Sequence, residues 1–175
     1  MGRLGRERYT EETVLYLQGH GFPAAQAVVA ASQAAAIAAA GHLGAVRYVS
    51  DRRPGADWMI GKPLKESEAD ALTAAGLEVV SNYQYGKGDT SDWRGGYAAG
   101  VKHAKRGLEL HTAAGGPANR PIYASIDDNP TAVEFATMIA PYILGWESVV
   151  GPENTGIYAN SPTIAVGIRV VAIGR

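Results

Sequence analysis

Hydrophobic positions along this chain switch repeatedly between a period near two and a period near 3.6, the alternation that builds βα units around a mainly parallel sheet. Val14 to Gln18 (VLYLQ) reads as a possible first strand, ended by GHGFP, and an alanine-rich helix follows over Ala24 to Ala40, closed by Gly41. Ala45 to Ser50 (AVRYVS) is the next strand, then a long polar loop, then a helix over Lys65 to Ala75 ended by Gly76. Leu77 to Tyr85 (LEVVSNYQY) is a strand, GKGDTSDWRGG a loop, and Tyr97 to Ala114 a helix with Ala98, Val101, Ala104, Leu108 and Leu110 on its apolar face. Pro121 to Asp127 is a strand, Asn129-Pro130-Thr131 starts a helix running to Trp146, and Thr155 to Asn160 (TGIYAN) is another strand. Ile168 to Ile173 is the better strand in the remaining residues, which brings the expected total to five or six.

Polar and aromatic side chains gather in the loops after the strands, where parallel α/β folds build their sites. In PIYASIDDNP, alternation puts Ile122, Ala124, Ile126 and Asp128 on one face and Tyr123, Ser125 and Asp127 on the other. The apolar set suits the helix-facing side, so Asp127 points inward at the mouth of a barrel or crevice. The same parity pairs Arg47 with Asp51 and Tyr158 with Asn160. It therefore predicts Arg47 beneath Asp127 as a neutralising cation, with Asp51, Asn160 and tyrosines around the opening. In the strand from Leu77, Asn82 with Gln84 and Ser81 with Tyr83 remain equally plausible inward pairs. An aspartate ahead of Asn-Pro-Thr also reads as a cap or turn former, more so for Asp128 than for Asp127.

Composition narrows the chemistry. Lys+Arg 16 against Asp+Glu 17 leaves a formal charge of -1 in 175 residues, with no basic field for a nucleic-acid backbone. The absence of cysteine excludes disulfides, thiolate zinc sites and cysteine nucleophiles. His103 and His111, eight apart on a helix, lack close metal-ligand spacing, so neither a metal nor another cofactor is expected. Eleven alanines in the 17 positions from Ala24 make a packed helix rather than a membrane span. MGRLGRERYTEET lacks the apolar region of a signal peptide, which leaves a cytoplasmic location or export by another route. Residues 1–175 are read as one domain, with 1–12 expected to be flexible.

Taken in order, AVRYVS, NYQYGKGDTSDWRGGYAAG, PIYASIDDNP and GIYAN resemble the glycoside-hydrolase-like family built on domain of unknown function 1906. That resemblance covers roughly residues 40–160. It implies a TIM-barrel-like (β/α) fold, distantly similar to muramidases, with an acidic site at the strand ends and a carbohydrate or cell-wall substrate. Asp127 matches the family's acid at the end of this strand. Asn129 stands where a second acid is expected two residues on, and Gln18 where an aspartate is expected after the first strand. The family continues through more strands after its GIYAN-like segment than VGIRVVAIGR supplies, so the expectation here is an incomplete barrel.

Glycosidic hydrolysis ordinarily needs two carboxyl groups, about 5–5.5 Å apart for retention or about 6.5–9.5 Å for inversion. Asp127 supplies one, and Asp51, Asp128, Asp89 and Asp92 are candidates for the other. Cleavage assisted by the sugar's own N-acetyl group needs only one. Trp58 and Trp93 lie in mouth-side loops beside Tyr83, Tyr85 and Tyr158 and offer flat faces to sugar rings, or else anchor those loops; Trp146 reads as core. The leading function is a glycoside hydrolase acting on peptidoglycan or a related polysaccharide with Asp127 as acid. A non-catalytic carbohydrate-binding barrel and a truncated, inactive family member are the alternatives.

Overall fold

The computed structural model describes residues 31–160 and Thr163. The strands expected at Val14–Gln18 and Ile168–Ile173 lie outside these residues. Within them the elements alternate: α1 (Ala31–Ala39), β1 (Gly44–Tyr48), α2 (Glu66–Ala74), β2 (Glu78–Tyr83), α3 (Gly96–Ala113), β3 (Ile122–Ile126), then α4 (Ala132–Glu134), a π-helical turn (Phe135–Ile139) and α5 (Ala140–Val150), and β4 (Thr155–Ala159). The four strands form one parallel sheet in the order β1-β2-β3-β4.

Element ends follow local chemistry. Gly41 and Gly76 stop α1 and α2 at φ +86° and +79°, a left-handed conformation that costs glycine nothing and other residues about 1 kcal/mol or more. Thr131 caps the helical run before α5: its Oγ1 accepts from the Glu134 amide at 3.2 Å while Glu134 Oε2 accepts from the Thr131 amide at 2.9 Å. Those bonds hold the Glu134 carboxyl below its usual pKa. The cap is thus Thr131, and neither Asp127 nor Asp128 serves as one.

The helices cover one face of the sheet. Ile122, Ala124 and Ile126 of β3 pack with Tyr83, with Ala104 and Leu110 of α3, and with Tyr142, Ile143 and Trp146 of α5. Ala45 of β1 packs with Leu72 of α2 and Ala34 of α1 in a smaller cluster. Full burial of an isoleucine or leucine such as Ile122 or Leu72 contributes about 1.5–3 kcal/mol. Helices α3 and α5 approach to backbone contact, because a Cβ on Gly100 would lie 2.1 Å from the Tyr142 carbonyl oxygen and one on Gly145 would lie 2.4 Å from that of Tyr97. This one-sided winding is that of a barrel-like α/β fold. It leaves the alternate positions Tyr48, Asn82, Gln84, Tyr123, Ser125 and Tyr158 on the opposite, inner face, and resolves the β2 ambiguity in favour of Asn82 and Gln84.

Arg47 corrects the expected parity of β1. Its side chain is fully buried on the helix side, 2.7 Å from Glu68 of α2, with a second bond of 3.2 Å to the Gly61 carbonyl. A buried guanidinium persists only beside an opposite charge, and Glu68 is that charge rather than Asp127. Burial nevertheless lowers the Arg47 pKa.

Candidate functional site

Asp127 follows β3, whose register beside β2 and β4 pairs Ala124 with Tyr83 and Ser125 with Tyr158. The carboxylate emerges at the C-terminal mouth with its side chain 41% exposed. Its Oδ2 accepts from Lys87 Nζ at 2.7 Å and from Gln84 Nε2 at 3.4 Å, so the cation at this acid comes from the loop after β2. The bond to Asp127 raises the Lys87 pKa.

Gln84 organises the floor of this mouth. Tyr48 donates from its hydroxyl to Gln84 Oε1 at 3.2 Å, which turns the amide so that Nε2 faces Asp127. The Gln84 carbonyl accepts from Ser50 Oγ at 2.7 Å and from Lys62 Nζ at 2.5 Å. The Lys62 ammonium also lies 4.0 Å from the centre of the Tyr48 ring. Burial, with the positive charge of Arg53 second, lowers the Lys62 pKa to about 8. Burial and then the charge of Asp127 raise the phenol pKa values of both Tyr48 and Tyr158.

A second carboxylate stands beside the first but is already engaged. Asp128 Oδ2 accepts from Ser91 Oγ and, at 2.9 Å, from Trp93 Nε1. Asn160 donates from Nδ2 to the Asp128 carbonyl at 3.2 Å and to Asn129 Oδ1 at 2.5 Å, tying the end of β4 to the loop after β3. Asp92 accepts from the amides of Tyr85 and Gly86 at 2.7 and 2.9 Å and fixes the loop after β2 from beneath. Burial raises the Asp92 pKa, although both amides and nearby His103 oppose the shift.

The expected constellation is therefore assembled in part. Gln84, Asp127 and Tyr158 share the inner face and the mouth, while Asp128 and Asn160 border it. Asp51 stands apart in a two-bond contact with Arg106 of α3, both bonds 2.8 Å, which lowers its pKa. Tyr83 is a correction: at 3% exposure it packs in the core, stacked on His103 and edge-on to Trp146. Trp93 is another, buried to 1% exposure with Arg94 over its ring at 4.5 Å, so it anchors its loop and presents no face to a sugar. Trp58, 56% exposed, does present one, and with Tyr85 it lines an open groove. Trp146 is core, as expected.

Sequence reasoning missed Tyr48, Lys62 and Lys87. The signal for Tyr48 was available, since moving Arg47 to the helix side turns Tyr48 inward. Lys87 stood in GKGDTSDWRGG, which pattern alone marks only as a loop. Lys62 lies well away in sequence from every motif that carries the resemblance.

Residues 35–173 match the family described as "Rv2525c-like, glycoside hydrolase-like domain". A Mycobacterium tuberculosis protein named "Putative peptidoglycan hydrolase Rv2525c" is 61% identical over 140 residues, which is 80% of this chain and 57% of that protein. The chain thus spans little more than half the length of this curated relative. The crystal structure of the Mycobacterium tuberculosis Tat-secreted protein Rv2525c in complex with L-tartrate superposes at a TM-score of 0.79 with 58% identity, covering 83% of this chain and 70% of that one. The structure of the same protein in complex with HEPES gives the same TM-score and identity, with coverage of 83% and 71%. A B. stearothermophilus protein, 22% identical at a TM-score of 0.55 over 78% of this chain and 58% of its own, shares the fold alone. By the match over residues 35–173 and the 61% identity, this chain belongs to the Rv2525c-like, glycoside hydrolase-like domain family.

Proposed function

We propose that this chain is a glycoside hydrolase acting on peptidoglycan or a related cell-wall polysaccharide, with Asp127 as the general acid at the mouth of a TIM-barrel-like (β/α) domain. The observation that carries the reading is the Asp127 carboxylate itself, exposed at the C-terminal end of a central parallel strand and held by Lys87 and Gln84. The family and the name of the 61% identical relative supply the substrate class. On the same reading residues 1–175 are one domain, and the four-stranded sheet is part of the barrel wall.

A general acid must hold a proton when the substrate arrives. On this reading Lys87, 60% exposed on its loop, meets the glycan beside Asp127, which protonates the leaving oxygen. For the second role, Asp51 is held by Arg106 and Asp128 by Ser91 and Trp93. This favours substrate-assisted cleavage, in which the sugar's N-acetyl carbonyl oxygen attacks the anomeric carbon as the leaving oxygen takes the Asp127 proton. Water then bonds to the anomeric carbon, breaking its bond to the N-acetyl oxygen and passing a proton back to the Asp127 carboxylate.

The engagement of Asp51 and Asp128 also supports a second reading, a non-catalytic domain that binds wall carbohydrate. Release of new reducing ends from purified cell walls separates the two. The hydrolase reading expects Asp127→Asn to lower that release at least a hundredfold, since general acid catalysis contributes about 10²–10⁴. Unchanged release by the variant refutes Asp127 as the acid, and wall binding without release by the wild type selects the second reading.

A further inference from the structure

The turn from Gln84 to Lys87 has two sides. Gln84 and Lys87 reach Asp127, while Tyr85 and Gly86 between them line an open groove of about 450 Å³, a size in the range of small-molecule sites. The opposite wall is the loop after β1, which contributes Arg53, Gly55 and Trp58. Trp58 is 56% exposed, unusual for the largest apolar residue. Arg53 makes no ion pair among the described residues. Its charge bears on buried Lys62 more strongly than does that of Asp92, whose oxygens take the amides of Tyr85 and Gly86. The groove therefore joins an exposed flat ring and a cation without a carboxylate partner among the described residues, facing a wall that the Asp92 bonds to Tyr85 and Gly86 hold in place before any ligand arrives. Preorganisation of that kind lowers the entropic cost of binding.

We propose that this groove is a subsite for a saccharide unit bearing a carboxylate, with Trp58 against the apolar face of the sugar ring and the Arg53 guanidinium on the carboxylate. A guanidinium suits this role because its planar donors match a carboxylate two bonds at a time. The proposal rests on the cell-wall glycan reading and extends it, since neither residue touches Asp127.

Two tetrasaccharides on the same backbone test it by titration calorimetry on the Asp127→Asn protein, which is blocked for cleavage. One is peptide-free and alternates N-acetylglucosamine with N-acetylmuramic acid, whose lactyl groups carry carboxylates; the other is neutral chitotetraose. The expected result is about tenfold tighter binding of the acidic probe, the scale of one charge-assisted contact. Arg53→Gln brings the two affinities to within about twofold by weakening the acidic probe alone, and Trp58→Ala weakens both probes several-fold. Equal affinities, a preference that survives Arg53→Gln, or no binding of either probe overturns the proposal. A preference lost in Arg53→Gln, alongside wild-type protein that releases no reducing ends, leaves the subsite standing and removes only the hydrolase reading.

Discussion

Replacing Lys62 with methionine alters how stability depends on pH, with a sign and size set by the burial of one ammonium group. Lys62 is 5% exposed, donates to the Gln84 carbonyl at 2.5 Å and sits over the Tyr48 ring. Burial, then the repulsion of Arg53, lowers its pKa from 10.5 to about 8. Between those values the unfolded chain binds a proton that the folded chain releases, so this group's contribution to stability is lowest below pH 8 and rises toward pH 10.5. The gap is about 2.5 units, and at about 1.36 kcal/mol per unit it amounts to about 3 kcal/mol. Methionine has a similar stem and does not titrate, so other groups cancel in the difference between the two proteins. Urea unfolding of wild type and Lys62→Met, followed by tryptophan fluorescence from pH 7 to 10.5, is the assay. Stability of the wild type relative to the variant should climb by about 3 kcal/mol across that range. A difference that stays level within about 0.5 kcal/mol, or one that falls, refutes the lowered pKa and with it the account of Lys62 as a desolvated cation.

Two other perturbations address the frame that carries the site. Arg47→Met or Glu68→Leu alone removes one half of a buried 2.7 Å pair and should cost about 3–5 kcal/mol, whereas the double variant should recover most of that loss. Additive losses in urea unfolding count against the pairing. Gly145→Ala sets a methyl group 2.4 Å from the Tyr97 carbonyl oxygen and should destabilise by about 3 kcal/mol, seen as a lowered melting temperature, despite alanine's better helix propensity. An unchanged melting temperature contradicts the backbone contact between α3 and α5.

Helix ends and strand positions were legible because local chemistry dictates them. Gly41 and Gly76 take the left-handed conformation that their place after periodic segments calls for, and Ile122, Ala124 and Ile126 fill the core as their alternation predicts. The direction of Asp127 followed from the same alternation. What local pattern does not carry is the partner of a charge. Arg47 looked like an inward cation until α2 brought Glu68 to it across the sheet face, a contact between residues 21 apart in sequence. Tyr83 and Trp93 belong to loops and strand ends rich in polar residues, yet both are buried by helices packed from elsewhere in the chain. Lys87 became the neighbour of Asp127 only because the β2–α3 loop folds back over the end of β3.

The strand order β1-β2-β3-β4 repeats the order of the chain, and this has a consequence for how such a domain can be remodelled. Each strand pairs with the one before it in the chain, across crossovers that place partners such as Gly44 and Glu78 or Ser81 and Ile122 far apart in sequence, and no later strand is inserted between two earlier ones. The connections at the C-terminal mouth take no part in that pairing. Their sequence is set by what they touch and not by strand pairing, and the segment from Tyr85 to Gly95, between β2 and α3 and seated in the core by Trp93, is a natural cassette for transplantation. Moving it as one piece would carry the Lys87 clamp, the Asp92 tie and one wall of the groove together.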